Sequence, residues 1–215
     1  MKKTQEKIII ATIDLFNKTG VSNIRLQDIA KEVGISPGNL TYHYKTKKDL
    51  LGAILLDMTN EQRIVRSTNE ALVDSIDIIS ILLNYLSFQI QYRFFYRDIL
   101  EIISLVPEAK DLLDQHIENV IEFSKNAIYL SIRKGYMKAE PHEGHYELFS
   151  KNAWAILHSW LREREVFGEE KISLYHAILA VLELHYFYLT EEGLVRYFEL
   201  KEQLPKLVKE KIVLV

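Results

Sequence analysis

The stretch GISPGNLTYHYKTKKDLL, Gly34 to Leu51, gathers the side chains of this chain best suited to meeting a polyanion. Asn39 can bond two edge groups of an adenine, Thr41 offers a methyl or a hydroxyl, and Tyr42 and His43 can reach phosphates or bases. Gly38 lets a backbone come close, and Lys45, Lys47 and Lys48 bring counter-charge to the N–H groups that open the following helix. Leu40 and Tyr44, one helical turn apart, share an inward face and leave Asn39, Thr41, Tyr42 and His43 outside. Such a surface suits the major groove of double-stranded DNA. The competing reading is a solvated helical hairpin with incidental lysines.

The elements that must position these residues are all helical. Only eight glycines and four prolines punctuate the chain, and apolar residues recur at three and four places nearly throughout. A first helix is predicted over about Thr4 to Thr19, burying Ile8, Ile9, Ile13 and Phe16 and stopping at Gly20. A second covers Leu26 to Val33 and ends at Gly34. Ser36 then caps a third, with Pro37 at its first position, running to about Tyr44. The pattern is helix, tight turn, helix, over a small core of Ile29, Ala30, Val33 and Ile35. Further helices are predicted from Lys47 to about Arg66, through the apolar and aromatic run from Val73 to Leu105, and over Ala109 to Lys134, Glu143 to Phe167 and Ile172 to Thr190. A shorter one follows from Leu194.

Charge divides the chain in the same way. Residues 1–50 carry nine Lys and Arg against five Asp and Glu, whereas the rest carries 18 against 25. A basic end joined to an acidic body suits polyanion binding at one end and a different task in the other. A head at residues 1–47 and a body at 48–215 are expected, without a flexible tether. No apolar run is long enough to span a bilayer and no secretory leader is evident, so a cytoplasmic location is expected, with no membrane partner. Cysteine is absent, which removes disulfide and thiolate chemistry.

The segment IIIATIDLFNKTGVSNIRLQDIAKEVGISPGNLTYHYKTKKDLL resembles the N-terminal DNA-binding domain of the TetR family of bacterial regulators. The likeness lies in the A-x-x-L-F-like first helix ending at Gly20, in DIAKEVGIS, and in the L-x-x-H-aromatic helix followed by basic residues. It implies an all-α fold with a three-helix helix-turn-helix head on a larger helical domain. It also implies DNA contacts at Pro37, Gly38, Asn39, Thr41, Tyr42 and His43, with Lys47 at a phosphate. Where the family often carries Thr or Ser at the start of the second helix, this chain reads IRLQDIA, so Arg25 and Gln27 are the residues that would replace those backbone contacts. Thr41 stands where a Tyr is common. The resemblance further implies a homodimer on a near-palindromic operator, regulated by a small effector and acting as a repressor. The alternative is a ligand-independent DNA-organising protein with the same head.

In the body, LFSKNAWAILHSWL and ISLYHAILAVLELHYFYL have apolar residues around most of their circumference, which requires a second buried surface. A four-helix dimer interface with Ile178, Val181, Leu182, His185 and Leu189 in its seam would supply it. Tyr85, Phe88, Tyr92 and Phe95 mark one face of an aromatic run, which Tyr129, Trp154 and His158 could oppose around an apolar or amphipathic effector; ordinary core is the competing reading. Arg93 and Arg97 read as surface arginines paired with Asp98 or Glu101. The segment EPHEGHYE reads as a polar helix start rather than a metal site: its histidines, His142 and His145, do not have the H-E-x-x-H spacing. Without a phosphate-binding Gly loop, G-x-S-x-G or cysteine, neither catalysis nor a cofactor is expected.

Overall fold

The computed structural model of the chain describes residues 2–75, 78–167, 171–209 and 212–214, with residues 2, 63–75, 78, 165, 209 and the two short strands as backbone only. The described helices are α1 (Lys2–Thr19), α2 (Leu26–Val33), α3 (Pro37–His43), α4 (Lys47–Ser75), α5 (Ile78–Gln91), α6 (Arg93–Arg97), α7 (Ile99–Leu105), α8 (Ala109–Arg133), α9 (His145–Val166), α10 (Tyr175–His185) and α11 (Glu191–Lys209). A 3-10 turn, Tyr186–Tyr188, follows α10. Strands β1 (Lys171–Ser173) and β2 (Ile212–Leu214) pair antiparallel. The class is all-α apart from this small ribbon.

The chain forms two compact units: residues 1–64 with 91–114, and residues 65–90 with 115–215. The first therefore reaches beyond the expected division at 47/48. Its core holds Ile8, Phe16, Ile29, Leu40, Leu50, Ile54 and Met58 together with Phe94, Phe95 and Ile102, all fully buried. Phe16 and Phe94 meet at 5.4 Å between ring centroids. Residues of α6 and α7 complete the core of the head, so they belong to it although they are distant in sequence.

In the second unit α5, α9, α10 and α11 share one core that includes Leu86, Leu157, Leu161, Ala177, Ile178, Leu182, Tyr197, Leu204 and Val208. This corrects the expected dimer seam. Ile178, Val181 and Leu182 are at most 4% exposed within the single chain, and the imidazole Nδ1 of His185 is engaged by the Val181 carbonyl at 2.7 Å. Leu189 packs partly buried against this core and its neighbour. The second apolar face of α10 is covered by α11, whose Tyr197, Leu204 and Val208 lie in the same core. That helix is 19 residues long, continues through Pro205 and starts before the expected Leu194.

Its start is closely fitted. Thr190 Oγ1 donates to the Gly135 carbonyl at 2.6 Å and accepts from the Gly193 N–H at 3.1 Å. A Cβ at Gly193 would lie 2.0 Å from the Tyr136 carbonyl oxygen.

Candidate nucleic-acid interface and effector cluster

Each head helix is delimited by its own sequence. The Asp28 carboxylate accepts the Arg25 backbone N–H at 2.8 Å, reaching back over the first turn of α2. Gly34, at φ 74°, closes that helix in the left-handed conformation. Ser36 Oγ accepts the Asn39 N–H at 3.2 Å and Pro37 opens α3. The short connection fixes α3 across α2, with Leu40 and Tyr44 buried beneath it.

What remains outside is the surface read from the sequence. Pro37, Gly38, Asn39, Thr41 and Tyr42 are exposed, and His43 is half-buried. Tyr42, at 72% exposure, is the large hydrophobic residue this surface presents to solvent. Its ring meets that of His43 edge-on at 5.3 Å. Thr41 Oγ1 donates within the helix, toward the Pro37 and Gly38 carbonyls, which leaves its methyl and an oxygen lone pair for a partner. A Cβ on Gly38 would meet nothing within 4 Å, so nothing inside the protein requires a glycine there. Arg25 and Gln27 are exposed at the start of α2.

Two expectations at the start of α4 change. The Lys47 ammonium donates to the Val21 carbonyl at 2.7 Å, so part of its charge is spent on the turn after α1, whereas Lys45 and Lys48 stand exposed. The opening N–H groups of α4 are not all free either. Thr46 Oγ1 accepts the Asp49 N–H at 3.1 Å while Asp49 Oδ2 accepts the Thr46 N–H at 2.9 Å. This capping box brings a carboxylate to the place where a phosphate was expected.

Sequence reasoning missed how the head is held. Asn17 is buried; its amide nitrogen donates to the Gln91 carbonyl at 2.8 Å and its oxygen accepts the Phe94 N–H at 3.0 Å. Arg97 pairs with Asp98 at 2.9 Å as expected, but also donates to the last carbonyls of α1, Phe16 at 2.6 Å and Asn17 at 3.0 Å. Asp98 accepts the Val21 N–H at 2.9 Å, and Glu101 accepts from the Ser22 hydroxyl. Arg93 is buried rather than on the surface. A polar Asn17 on the inward stripe of Ile13 and Phe16 was the available signal.

The seven residues expected around an effector fall into three groups. Tyr92 and Phe95 are buried in the first unit, where the Tyr92 hydroxyl donates to Glu61 at 2.7 Å. Tyr129 lies in an aromatic nest with Tyr146, and its hydroxyl donates to Glu140 at 3.1 Å. Glu140 also accepts the Tyr146 N–H near the start of α9; these contacts and the two nearby cations of Lys125 and Lys151 on Glu147 order the EPHEGHYE segment. Tyr85, Phe88, Trp154 and His158 gather around a residue the sequence did not single out, His116. Its ring stacks on Tyr85 at 6.1 Å and tilts against Phe88 at 5.8 Å. Trp154 stacks on His158 at 5.1 Å. Burial, with His158 nearby, pushes His116 down to about 4.

Family models match over nearly the whole of this arrangement: "Bacterial regulatory proteins, tetR family" over residues 8–54 and "Bacterial transcriptional repressor" (TetR) over residues 59–197. The chain belongs to the TetR family. It is a DNA-binding transcriptional regulator, and the TetR fold and relatives are those of non-enzymatic proteins. A TetR-family regulator from Marinobacter aquaeolei VT8 superimposes with a TM-score of 0.78 at 24% identity, covering 93% of this chain and 98% of the other. A regulator from Saccharomonospora viridis, solved in complex with choline, gives a TM-score of 0.67 at 18% identity over 89% and 100% of the two chains. The regulator SrpR of Pseudomonas putida is 30% identical over 86 residues, 36% of this chain and 40% of SrpR. The regulator TtgW of the same species is 30% identical over 86 residues, 64% of its length. The alignments thus span less than two thirds of these curated relatives. No described helix is long and apolar enough to cross a membrane.

Proposed function

We propose that this TetR-family regulator is an effector-responsive repressor that binds a near-palindromic operator as a homodimer. The observation that carries the reading is the bonding of Asn17 and Arg97, which ties α1 of the head to α6 through both backbone and side chains. A DNA-reading surface fixed to an element of this kind moves only when that element moves. Gln91, whose carbonyl Asn17 holds, follows Gln89 by two positions, and Gln89 belongs to the buried group around Tyr85. An effector that shifts the end of α5 therefore acts on a backbone to which the head is bonded.

The energetics are those of linkage. An effector that prefers the form with misplaced heads weakens DNA binding by the same factor by which DNA weakens effector binding. Two heads on one operator would engage successive major grooves, spaced by the duplex repeat of roughly 34 Å. Apolar surface for a second copy is available at Phe187 and Phe198, exposed by 78% and 56% and joined through Tyr186. The choline complex of the S. viridis relative supports effector binding by the body in general, without fixing its chemistry here.

The test is selection of genomic fragments by the purified protein at near-physiological salt, beside a Tyr42→Ala/His43→Ala variant. Recovery of a few palindromic sites by the wild type alone, with transcription from them suppressed in a reconstituted reaction, is the expected result. Equal recovery by both proteins, or no effect on transcription, defeats the repressor reading.

A further inference from the structure

The helix-turn-helix is entered from α1 and left through α4, and both of these helices are bonded to one dipeptide at the junction of α5 and α6. On the α1 side, the Asn17 amide donates to the Gln91 carbonyl at 2.8 Å. On the α4 side, the Gln91 side-chain amide donates to Glu61 Oε2 at 2.9 Å, and the Tyr92 hydroxyl donates to the same oxygen at 2.7 Å. Gln91 therefore holds α1 with its backbone and α4 with its side chain. Asn17, Glu61, Gln91 and Tyr92 all lie within the first unit.

The donors are well defined. Tyr92 is 2% exposed, and burial, followed by the Glu61 carboxylate, raises its phenol above the ordinary tyrosine value, so near neutral pH the hydroxyl keeps its proton. Bonds to an ionised acceptor are stronger than those between neutral groups. With them α4 is pinned at two points. The Lys47 ammonium fixes its start to the Val21 carbonyl at 2.7 Å, and Glu61 follows about 21 Å along the helix at 1.5 Å per residue. That separation is more than twice the Debye length of about 8 Å at physiological salt. The Glu61 charge is thus screened from phosphates at the start of α4, and what Glu61 transmits is geometry.

Geometry matters unequally to the two kinds of DNA contact. A base edge is read by a short side chain such as Asn39 through hydrogen bonds that weaken steeply with distance and angle. Lys45 and Lys48, exposed on flexible stems, follow a phosphate through a small shift of the backbone. We infer that Glu61, Gln91 and Tyr92 are positioning residues for DNA recognition: they fix the direction in which α4 leaves the helix-turn-helix relative to α1, and so set how α3 presents its base-reading side chains. They sharpen the discrimination of a preferred site from random DNA without touching DNA. The role requires neither an effector nor a second copy.

The test compares the full-length wild type with a Gln91→Ala/Tyr92→Phe variant. Neither substitution changes charge, Tyr92→Phe keeps the buried ring, and Gln91→Ala leaves the carbonyl that Asn17 holds. Anisotropy titrations use the tightest fragment from the genomic selection and a random duplex of equal length, each over a range of salt and well below the Tm of either protein. The variant is expected to bind the preferred fragment at least fivefold more weakly and the random duplex within twofold of wild type. Its salt slope should be unchanged, because no phosphate contact is lost. Glu61→Ala should reproduce the loss and add nothing in the variant background, whereas Glu61→Gln, which keeps an acceptor oxygen, should recover more than half of it. Equal losses on both duplexes overturn the inference, as does intact binding of the preferred fragment by the variant. A lowered Tm with an unchanged ratio of the two affinities would reduce the three residues to structural support. An additional, independent loss from Glu61→Ala in the variant background overturns the shared route. A wild type that selects no preferred fragment overturns it too, since there is then no base reading to position.

Discussion

The Arg97 guanidinium donates to the Phe16 carbonyl at 2.6 Å, capping the C-terminal end of the first head helix from a residue 81 positions further along the chain. The partial negative charge of that helix end meets a fixed cation, and Asp98 completes the junction by accepting the Val21 N–H. The head is thereby a composite of its own three helices and α6. Arg97→Ala should lower stability by on the order of 2 kcal/mol and weaken operator binding. Arg97→Lys should restore less than half of either loss, because a single ammonium cannot reproduce the forked contacts. Urea unfolding and DNA-binding anisotropy on the same preparations decide it, and full rescue by lysine would mean that charge alone matters.

Asn17→Ala leaves the buried Phe94 N–H and the Gln91 carbonyl without their partner. Stranding the buried Phe94 N–H costs about 1–3 kcal/mol, whereas the exposed Gln91 hydrates its carbonyl, so the urea midpoint should fall by the amount of that one buried group. A loss below about 1 kcal/mol would indicate that water replaces the amide.

The proposed reading face assigns base contacts and phosphate contacts to different residues. Asn39→Ala should cost about 1–3 kcal/mol concentrated at one base pair, whereas Lys48→Ala should weaken binding to all sequences and reduce the salt slope by about one. Lys47→Ala should show a stability loss that Lys48→Ala lacks, because Lys47 is bonded to Val21. Salt titrations on specific and random duplexes, beside thermal unfolding, resolve the three; equal losses on both duplexes for Asn39→Ala would remove its base-reading role.

Gly38 has open space around its missing Cβ. Gly38→Ala should leave Tm unchanged or raise it, since alanine exceeds glycine by up to about 1 kcal/mol in a helix, while DNA binding falls tenfold or more because the added methyl stands between backbone and duplex. Intact operator affinity in this variant would show that DNA does not approach that backbone. Gly193→Ala is the counter-example: its Cβ collides with the Tyr136 carbonyl, and the variant should unfold at markedly lower temperature.

His116 gives a pH signature. Its folded value of about 4 lies below the usual imidazole value of 6.5, so the unfolded chain binds the extra proton. Its contribution is fully present above pH 6.5 and is lost as pH falls toward 4, at roughly 1.4 kcal/mol per pH unit. His158 and His185, both lowered by burial, act in the same direction. The informative quantity is therefore the difference between wild type and His116→Phe: the wild type should lose more stability between pH 7 and pH 5. Parallel losses would place His116 in contact with water.

The sequence by itself determined the helix-turn-helix and its outward face. Gly20, Gly34, Ser36 and Pro37 terminate and start helices by local backbone chemistry, and the spacing of Leu40 and Tyr44 decides which side of α3 is buried. Those are interactions over a few residues, legible without a fold. The tertiary structure alone decided what joins the head to α6, because Asn17 and Arg97 find backbone partners 74 to 81 residues away that no periodicity marks. It also decided that α10 is covered by α11 rather than left for a dimer seam, since an apolar circumference records that a second surface exists but not whose it is. Gln89 and His116 were hidden for the same reason: a lone amide or imidazole in an apolar run gains meaning only when packing shows which rings and helices surround it.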